Sequence, residues 1–396
     1  MMCMSFYRIL LCCLITPAAQ LTAQTWIQTA APIGNWYTVA SSADGSRLVA
    51  AVGGGSSGLI YTSTNSGGAW APTTAPNTNW YAVASSADGL KLVAVAGGGP
   101  IIKGLIYTSA NSGLTWTATS APSNYWYTVT SSADGTKLVA AGSRNKAVPI
   151  YSSSDSGVTW TSNSLAPMNW RGLVTSPDGS KIAALAGGLN GGIFISTNFG
   201  GAWISNATPN ANLQAIAASA DMTKMVAVTY GAAPGPVYTS INSGGAWAQT
   251  TAPNNFWSSV AASADGSRLV AVVSGGGIYT STDSGSTWTS NNVAGGWNAV
   301  ASSADGGKLA AAVNSGGIYT RQSTVPPVLS IKSGPGTLAL SWIIASTNFV
   351  LQQRASLGST SWSSTPLTPT LNLTNLHHEQ ILTAPPGAGF YRVSTP

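Results

Sequence analysis

The sequence predicts an all-β protein, a seven-bladed β-propeller closed by its N-terminal strand and followed by a small β-sandwich. A motif typified by WYTVASSADGSRLVA at 36–50 recurs seven times at spacings of 40 to 46 residues, the period of one four-stranded blade. A second motif, typified by STDSGSTW at 281–288, recurs six times. The composition, with 45 Gly, 15 Trp and only 7% charged residues, suits short strands joined by many turns.

Residues 1–23 have the layout of a secretory signal peptide. Arg8 precedes the apolar run ILLCCLI at 9–15, and a region of small residues follows, ending near Gln24. We therefore expect export to a secreted, periplasmic or cell-surface location. No apolar run is long enough for a transmembrane helix. All three Cys residues lie in this segment, so the rest of the chain has no thiol for a disulfide, a metal site or a nucleophile.

Each repeat between residues 24 and 322 predicts four strands, which we call A to D. The first motif supplies strand A, an Asp-Gly turn and strand B, and the second motif is the turn from strand C to strand D. The seventh repeat stops after IYTRQS at 318–323, whereas TWIQTAAPIGNW at 25–36 matches a strand D. We expect this N-terminal strand, with Trp26, to complete the last blade, because closure removes exposed sheet edges.

The period ends at a linker, residues 323–327. Residues 328–396 contain short apolar runs such as TLALSW and NFVLQQR, separated by Gly, Pro and Ser. This pattern predicts a small C-terminal β-sandwich of the fibronectin or immunoglobulin kind.

The six C–D turns resemble the Asp-box, or BNR, repeat Ser-x-Asp-x-Gly-x-x-Trp, with Asn in place of Asp in four copies. The box residues are Asn65, Asn111, Asp155, Asn198, Asn242 and Asp283. The resemblance implies a propeller like those of sialidases, sortilin-type receptors and the photosystem II assembly factor family. The turn TSPDGSKIAA at 175–184 is similar to that of TolB-type and YVTN-type propellers. Because Asn serves as well as Asp, we interpret the box residue as an acceptor for turn amides.

The ionisable residues argue against an enzyme. Of ten acidic residues, seven lie in A–B turns, two lie in Asp boxes, and Glu379 and both His residues belong to the C-terminal segment. Glycoside hydrolysis ordinarily needs paired carboxylates, and a Ser-His-Asp triad needs His. Dispersed carboxylates also predict neither metal nor cofactor. A Lys or Arg follows each A–B Asp by three residues, which we interpret as a solvated pair within the turn and as an argument against nucleic-acid binding.

Two features remain as candidate binding sites, both on the face that carries the D–A and B–C loops. The aromatic residues at the start of strand A have two interpretations. They are either exposed side chains arranged around the channel mouth or side chains packed between blades. The longest B–C loops, 96–105 and 141–149, are basic. The candidates are Trp36, Tyr37, Trp80, Tyr81, Trp126, Tyr127, Trp170, Arg171, Trp257, Trp297, Lys103, Arg144 and Lys146.

The sequence thus favours an exported, non-enzymatic binding or scaffold protein, expected to be a monomer, that recognises a protein or a glycan. Two alternatives remain open. One is a degenerate sialidase-like glycosidase or lyase that uses Tyr and Arg. The other is a passive structural protein of the envelope or matrix.

Overall fold

The computed structural model of the 396-residue chain describes residues 25–97, 103–142, 147–188, 191–206, 208–209, 211–291, 293–323, 327–334, 337–345, 349–354, 361–365, 368–383 and 390–394. The signal peptide predicted at 1–23 lies outside these ranges, as do Arg144 and Lys146. The regular structure in the described ranges is β-strand throughout. Within them, no helix has the length and apolar character to cross a membrane.

Strands β1–β28 form seven units of four strands each in the described part of the chain, arranged as in a β-propeller. Strand A is Trp36–Ser41 (β2), Trp80–Ser85 (β6), Trp126–Ser131 (β10), Trp170–Thr175 (β14), Leu213–Ala218 (β18), Trp257–Ala262 (β22) and Gly295–Ser302 (β26). Strand B is Leu48–Val52 (β3), Leu92–Ala96 (β7), Leu138–Gly142 (β11), Ile182–Ala186 (β15), Met225–Thr229 (β19), Leu269–Gly276 (β23) and Lys308–Val313 (β27).

The outer two strands of each unit are shorter. Strand C is Ile60–Ser63 (β4), Ile106–Ser109 (β8), Tyr151–Ser153 (β12), Gly192–Ser196 (β16), Val237–Ser240 (β20), Ile278–Ser281 (β24) and Ile318–Gln322 (β28). Strand D is Ala71–Pro72 (β5), Thr117–Ala118 (β9), Thr161–Ser162 (β13), Ile204–Asn206 (β17), Ala248–Gln249 (β21), Thr289–Ser290 (β25) and, for the seventh unit, Ile27–Gln28 (β1).

The N-terminal strand completes the seventh unit, as the sequence predicts. Ile27 pairs with Thr320 and Gln28 pairs with Tyr319, so β1 lies antiparallel to β28. Strand D of the last unit therefore comes from the opposite end of the repeat region. This pairing holds the two ends of the ring together.

A belt of backbone hydrogen bonds links neighbouring units where each strand A enters its A–B turn. Ala43 N–H donates to Ala87 O at 2.8 Å, and Ala304 N–H donates to Ala43 O at 2.7 Å, which joins the seventh unit to the first. Six of the seven junctions in the described residues have this bond. At the remaining junction the donor position is Pro177, which has no N–H to give.

The cations of the A–B turns also reach the turn of the next unit, a contact that the predicted pair within each turn does not include. Lys308 of the seventh unit lies beside Asp44 of the first, and Lys137 of the third lies beside Asp178 of the fourth. Lys137 Nζ also donates to the backbone carbonyl of Asp178 at 2.8 Å. At six of the seven described A–B turns the aliphatic stem of the cation covers the glycine of the next turn; the turn after Lys181 has Met222 in place of glycine.

The C-terminal segment forms two small antiparallel sheets. Their strands are Ser330–Gly334 (β29), Thr337–Ile343 (β30), Val350–Arg354 (β31), Ser363–Ser364 (β32), Thr370–Asn372 (β33), His377–Thr383 (β34) and Phe390–Ser394 (β35). One sheet has the order β29-β30-β34-β33 and the other β32-β31-β35. Leu340 and Trp342 of the first sheet share a hydrophobic cluster with Leu351 of the second. The fibronectin-type assignment and the domain boundaries stay predictions.

The C-terminal segment also contacts the ring. Ile344 is 7% exposed and packs with Ala43 and Ala304, and Leu376 adjoins the same cluster. Ile344 N–H donates to Leu376 O at 2.8 Å, which holds the two apolar side chains together. They cover the mouth of the central channel on the side of the A–B turns.

Candidate functional site

A cavity of about 520 Å³ occupies the other mouth of the channel, on the face of the D–A and B–C loops, which we call the open face. Its lining includes an equivalent residue from every unit, the second of the strand-A motif, directly after the tryptophan or its replacement Leu213. We call these seven residues the channel positions. They are Tyr37, Tyr81, Tyr127, Arg171, Gln214, Ser258 and Asn298.

A β-bulge at the start of strand A aims the channel position at the cavity. In the third unit Trp126 pairs with Gly142 and Thr128 pairs with Ala141, so Tyr127 is the extra residue between them. The same register shift occurs in every unit, including Leu213/Ala215 of the fifth. Bulges commonly re-aim a side chain in this way, and this one turns the channel position toward the axis in all seven units.

The three tyrosines form one wall of the cavity. The Tyr37 and Tyr81 rings meet edge to face at 5.4 Å, and the Tyr81 and Tyr127 rings lie 5.7 Å apart. The hydroxyls of Tyr37 and Tyr127 are 3.2 Å apart and share a hydrogen bond. Tyr81 and Tyr127 are only 6% and 8% exposed, because the rings pack against one another. This wall therefore presents little aromatic surface to the cavity.

The opposite wall is polar and carries one guanidinium. Arg171 Nη1 donates to Gln214 Oε1, and Gly187 lies so close to the Arg171 side chain that a Cβ there would be 2.5 Å from Arg171 Cγ. These contacts hold the arginine in place, while its buried Nε has no acceptor. The described residues that line the cavity include no Asp, Glu or His, so Arg171 gives the site a positive charge.

Two further channel positions have side chains held by the backbone of a neighbouring unit. Asn298 Nδ2 donates to Trp36 O at 2.9 Å, and Ser258 Oγ donates to Trp297 O at 2.7 Å. Each bond crosses from one unit to the next. The polar wall is therefore fixed before any ligand arrives.

The strand-A tryptophans pack between units. The prediction that they are ligand-binding residues is therefore wrong. Trp36, Trp80, Trp126, Trp170, Trp257 and Trp297 are all 0% exposed. Trp80 shows the arrangement: its ring meets Tyr107 edge to face at 5.4 Å, and its Nε1 donates to Gly58 O of the preceding unit at 3.1 Å. Of the two interpretations of these tryptophans given by the sequence, the structure agrees with packing between blades.

Lys103, the one basic-loop candidate within the described residues, lies outside the cavity lining. Lys103 is exposed, and its ammonium lies 6.0 Å from the centre of the Tyr125 ring. Arg144 and Lys146 lie outside the described residues. Of the sequence-based candidates, the structure thus gathers only the three tyrosines and Arg171 at one site. Gln214, Ser258 and Asn298 are the members that sequence reasoning missed.

The Asp-box residues accept hydrogen bonds from their own turns, as the Asn substitutions indicate. Asp283 Oδ1 accepts from Thr287 N at 2.9 Å, and Asn65 Oδ1 accepts from Ala69 N at 2.7 Å. A hydrogen bond from the Thr287 hydroxyl, followed by those from its amide and from Ser281, lowers the pKa of Asp283 to about 2. The boxes lie on the face of the A–B and C–D turns, which we call the turn face, opposite the cavity.

No cluster of three or more His, Cys, Asp or Glu residues that could hold a metal ion occurs within the described ranges. The chain also matches no protein-family model and no curated protein. Its relationships come from solved structures alone.

The fold is shared with several solved propellers. YCF48 from Cyanidioschyzon merolae is 16% identical, covers 76% of this chain and 98% of its own, and superposes with a TM-score of 0.57. A YCF48 bound to D1 peptide is 17% identical, with 78% and 99% covered and a TM-score of 0.57. The GH74 xyloglucanase from Xanthomonas campestris is 16% identical, with 81% and 59% covered and a TM-score of 0.61. At these identities the likeness establishes the fold alone.

Proposed function

We propose that this protein is an exported, non-enzymatic binding protein whose open-face cavity holds a segment of another protein. One observation carries the proposal: seven equivalent positions converge on one cavity and carry five different residue types, while the residues around them repeat. In repeat proteins, departures from the repeat on one face are where specific recognition is placed.

The lining chemistry favours a polypeptide ligand. Tyrosine hydroxyls, the Asn and Gln amides and the serine hydroxyl can each donate and accept hydrogen bonds, as an extended backbone requires. Arg171 is positively charged with no carboxylate beside it in the described lining, which favours a ligand segment that carries a carboxylate. The YCF48 structure with a D1 peptide supports a protein ligand for a propeller of this shape.

A glycan is the second candidate. The density of hydroxyl and amide groups in the cavity and the fold shared with a xyloglucanase favour it. One observation disfavours a glycan. Proteins usually hold sugars on flat aromatic faces, but the rings of these tyrosines pack against one another and expose little surface. Hydrolysis is not proposed, because the described lining offers no carboxylate to act as acid, base or nucleophile.

Selection of random peptides on the protein, followed by calorimetric titration of the selected sequences, tests the proposal. We expect Arg171→Gln to weaken binding at least tenfold, or about 1.4 kcal/mol, because a charge-assisted hydrogen bond is lost. Lys103→Gln is the matched control, an exposed cation outside the cavity, and is expected to bind like the wild type. Equal loss in both variants would place binding elsewhere, and binding on a glycan array without any peptide would favour the second candidate.

Export is part of the proposal and has its own test. The segment 1–23 should be removed in the producing cell. N-terminal sequencing of the protein recovered outside the cytoplasm is expected to begin between Ala19 and Gln24. Recovery of uncleaved chain from the cytoplasm would contradict it.

A further inference from the structure

The seventh unit departs from the other six at the end of strand C. In those six the last residue of strand C is the Asp-box serine, 0–5% exposed, whose Oγ accepts the N–H of the box glycine at 2.8–3.0 Å. The serines are Ser63, Ser109, Ser153, Ser196, Ser240 and Ser281. The seventh unit has Arg321 at this register and no Asp-box turn after it.

The missing turn removes the partner that the preceding unit normally meets. At three complete junctions the cation of one A–B turn donates to a hydroxyl of the next Asp box. Arg47 Nη1 donates to Ser112 Oγ at 2.9 Å, and Lys224 Nζ donates to Ser284 Oγ at 3.3 Å; Lys91 makes the same contact. At the junction of the sixth and seventh units the cation is Arg268, no Asp box follows strand C, and Arg268 and Arg321 line the same cavity.

A cavity of about 130 Å³ lies between these two arginines. One water needs roughly 10–15 Å³ of such space, so there is room for a group of several atoms. Hydroxyls of Ser281, Thr282 and Ser302 also line it. The cavity lies on the turn face, away from the channel positions.

Both arginines line the cavity, and its described lining includes no carboxylate. Nε of Arg321 is buried and has no acceptor. Burial lowers the pKa of Arg321, and the charge of Arg268 lowers it further, as expected for like charges held close together. The nearest turn carboxylate, Asp305, is absent from the cavity lining and accepts from Ser303 Oγ at 2.6 Å and Gly307 N at 2.8 Å.

We infer that the cavity between Arg268 and Arg321 binds a tetrahedral oxyanion, either phosphate or sulfate, free or carried on a larger molecule. Two guanidiniums provide the forked donors that such oxygens accept, and the Thr282 hydroxyl in the lining can supply another. The anion would relieve the repulsion between the arginines and give the orphaned Nε an acceptor.

Calorimetric titration and thermal unfolding of the protein with inorganic phosphate and sulfate, at ionic strength held constant with chloride, test this inference. We expect both anions to bind and raise the Tm of the wild type. Arg321→Ser restores the repeat residue and is expected to weaken binding at least tenfold. Arg47→Gln, at a complete junction, is the matched control and should bind like the wild type.

A sulfated and a desulfated heparin distinguish the sources. Arg321-dependent binding of the free ions assigns the site to a small anion, and Arg321-dependent binding of sulfated heparin alone assigns it to a group on a polymer. Both outcomes support the site. Binding that Arg321→Ser leaves unchanged, or no binding of any probe, would overturn it. If Arg321→Ser does not fold, Arg268→Gln provides the same comparison.

Discussion

The two mouths of the channel are built from the same seven strands, yet only at one mouth do the seven units carry nearly the same residue. On the turn face the residues at the mouth are Ala at six junctions and Pro177 at the seventh, linked by the backbone belt. On the open face the seven channel positions include five residue types. The turn-face mouth, with its repeated residues, holds neighbouring units together. The open-face mouth, where the residues vary, is where we propose ligand recognition.

The mouths also differ in access. Ile344 and Leu376 of the C-terminal segment cover the turn-face mouth and leave a cavity of about 190 Å³ beneath them. Small alanine side chains make this contact possible, because they let an apolar side chain approach the belt. The larger cavity lies at the open face, and a ligand is expected to reach the channel positions from there.

The largest expected effect separates two adjacent residues of one strand. Trp170→Ala should lower the free energy of unfolding by about 3–5 kcal/mol, because a fully buried indole is removed from between units. Arg171→Gln, one residue further along, should lower it by less than about 1 kcal/mol. Chemical denaturation of both variants measures the difference. Similar losses would mean that the channel position is structural too.

A smaller effect is expected at the closed mouth. Ile344→Asp should release the C-terminal segment from the ring at a cost of about 2–4 kcal/mol, since it places a charge in an apolar contact. Limited proteolysis should then cleave the segment 324–396 much faster while the ring survives. Ile381→Asp is the control, in the same segment but 61% exposed, and should leave the cleavage rate unchanged. Slow cleavage of both variants would contradict the contact.

The smallest effect concerns the Asp boxes and appears only in acid. The pKa values of Asp155 and Asp283 are lowered to about 2 by hydrogen bonds from their turns, chiefly from Thr159 and Thr287. Their contribution to stability is therefore present above pH about 4 and lost as the pH falls toward about 2.

The double variant Asp155→Asn, Asp283→Asn keeps both acceptors without the titration. Its stability should match the wild type near neutral pH and fall less steeply below pH about 4. Denaturation curves across this range measure the slopes, and Asp283→Ala, which removes the acceptor, should be less stable at every pH. Identical acid slopes for the wild type and the double variant would be the contrary result.

The sequence predicts the period, the closing strand and the role of the Asp boxes, because each depends on spacing or on a residue type that recurs. It does not distinguish Trp126 from Tyr127, since both are aromatic and alternation says only that they point opposite ways. The β-bulge decides which faces the channel, and nothing in the local composition marks it. Gln214, Ser258 and Asn298 are three different residue types, so no recurring residue marks the position in the sequence, and only their common register in the folded ring identifies them.

The Lys and Arg residues of the A–B turns show a similar limit. Their fixed offset from the turn Asp suggests a local pair, but the side chain also extends over the turn of the next unit. Sequence spacing within one repeat cannot report a contact between repeats. This contact persists at the last junction, with Arg268 over Gly306, and Arg321 lines the cavity where the Asp box is missing.

The most direct test of the central claim blocks the cavity chemically. Residues 24–396 contain no Cys, so Ser258→Cys on the channel wall and Ser286→Cys on the turn face can each be labelled at one site with a bulky maleimide. Titration with a selected peptide then compares the two labelled proteins. We predict that the label at position 258 abolishes binding and that the label at position 286 leaves it unchanged. Undiminished binding by the protein labelled at 258 would contradict the account.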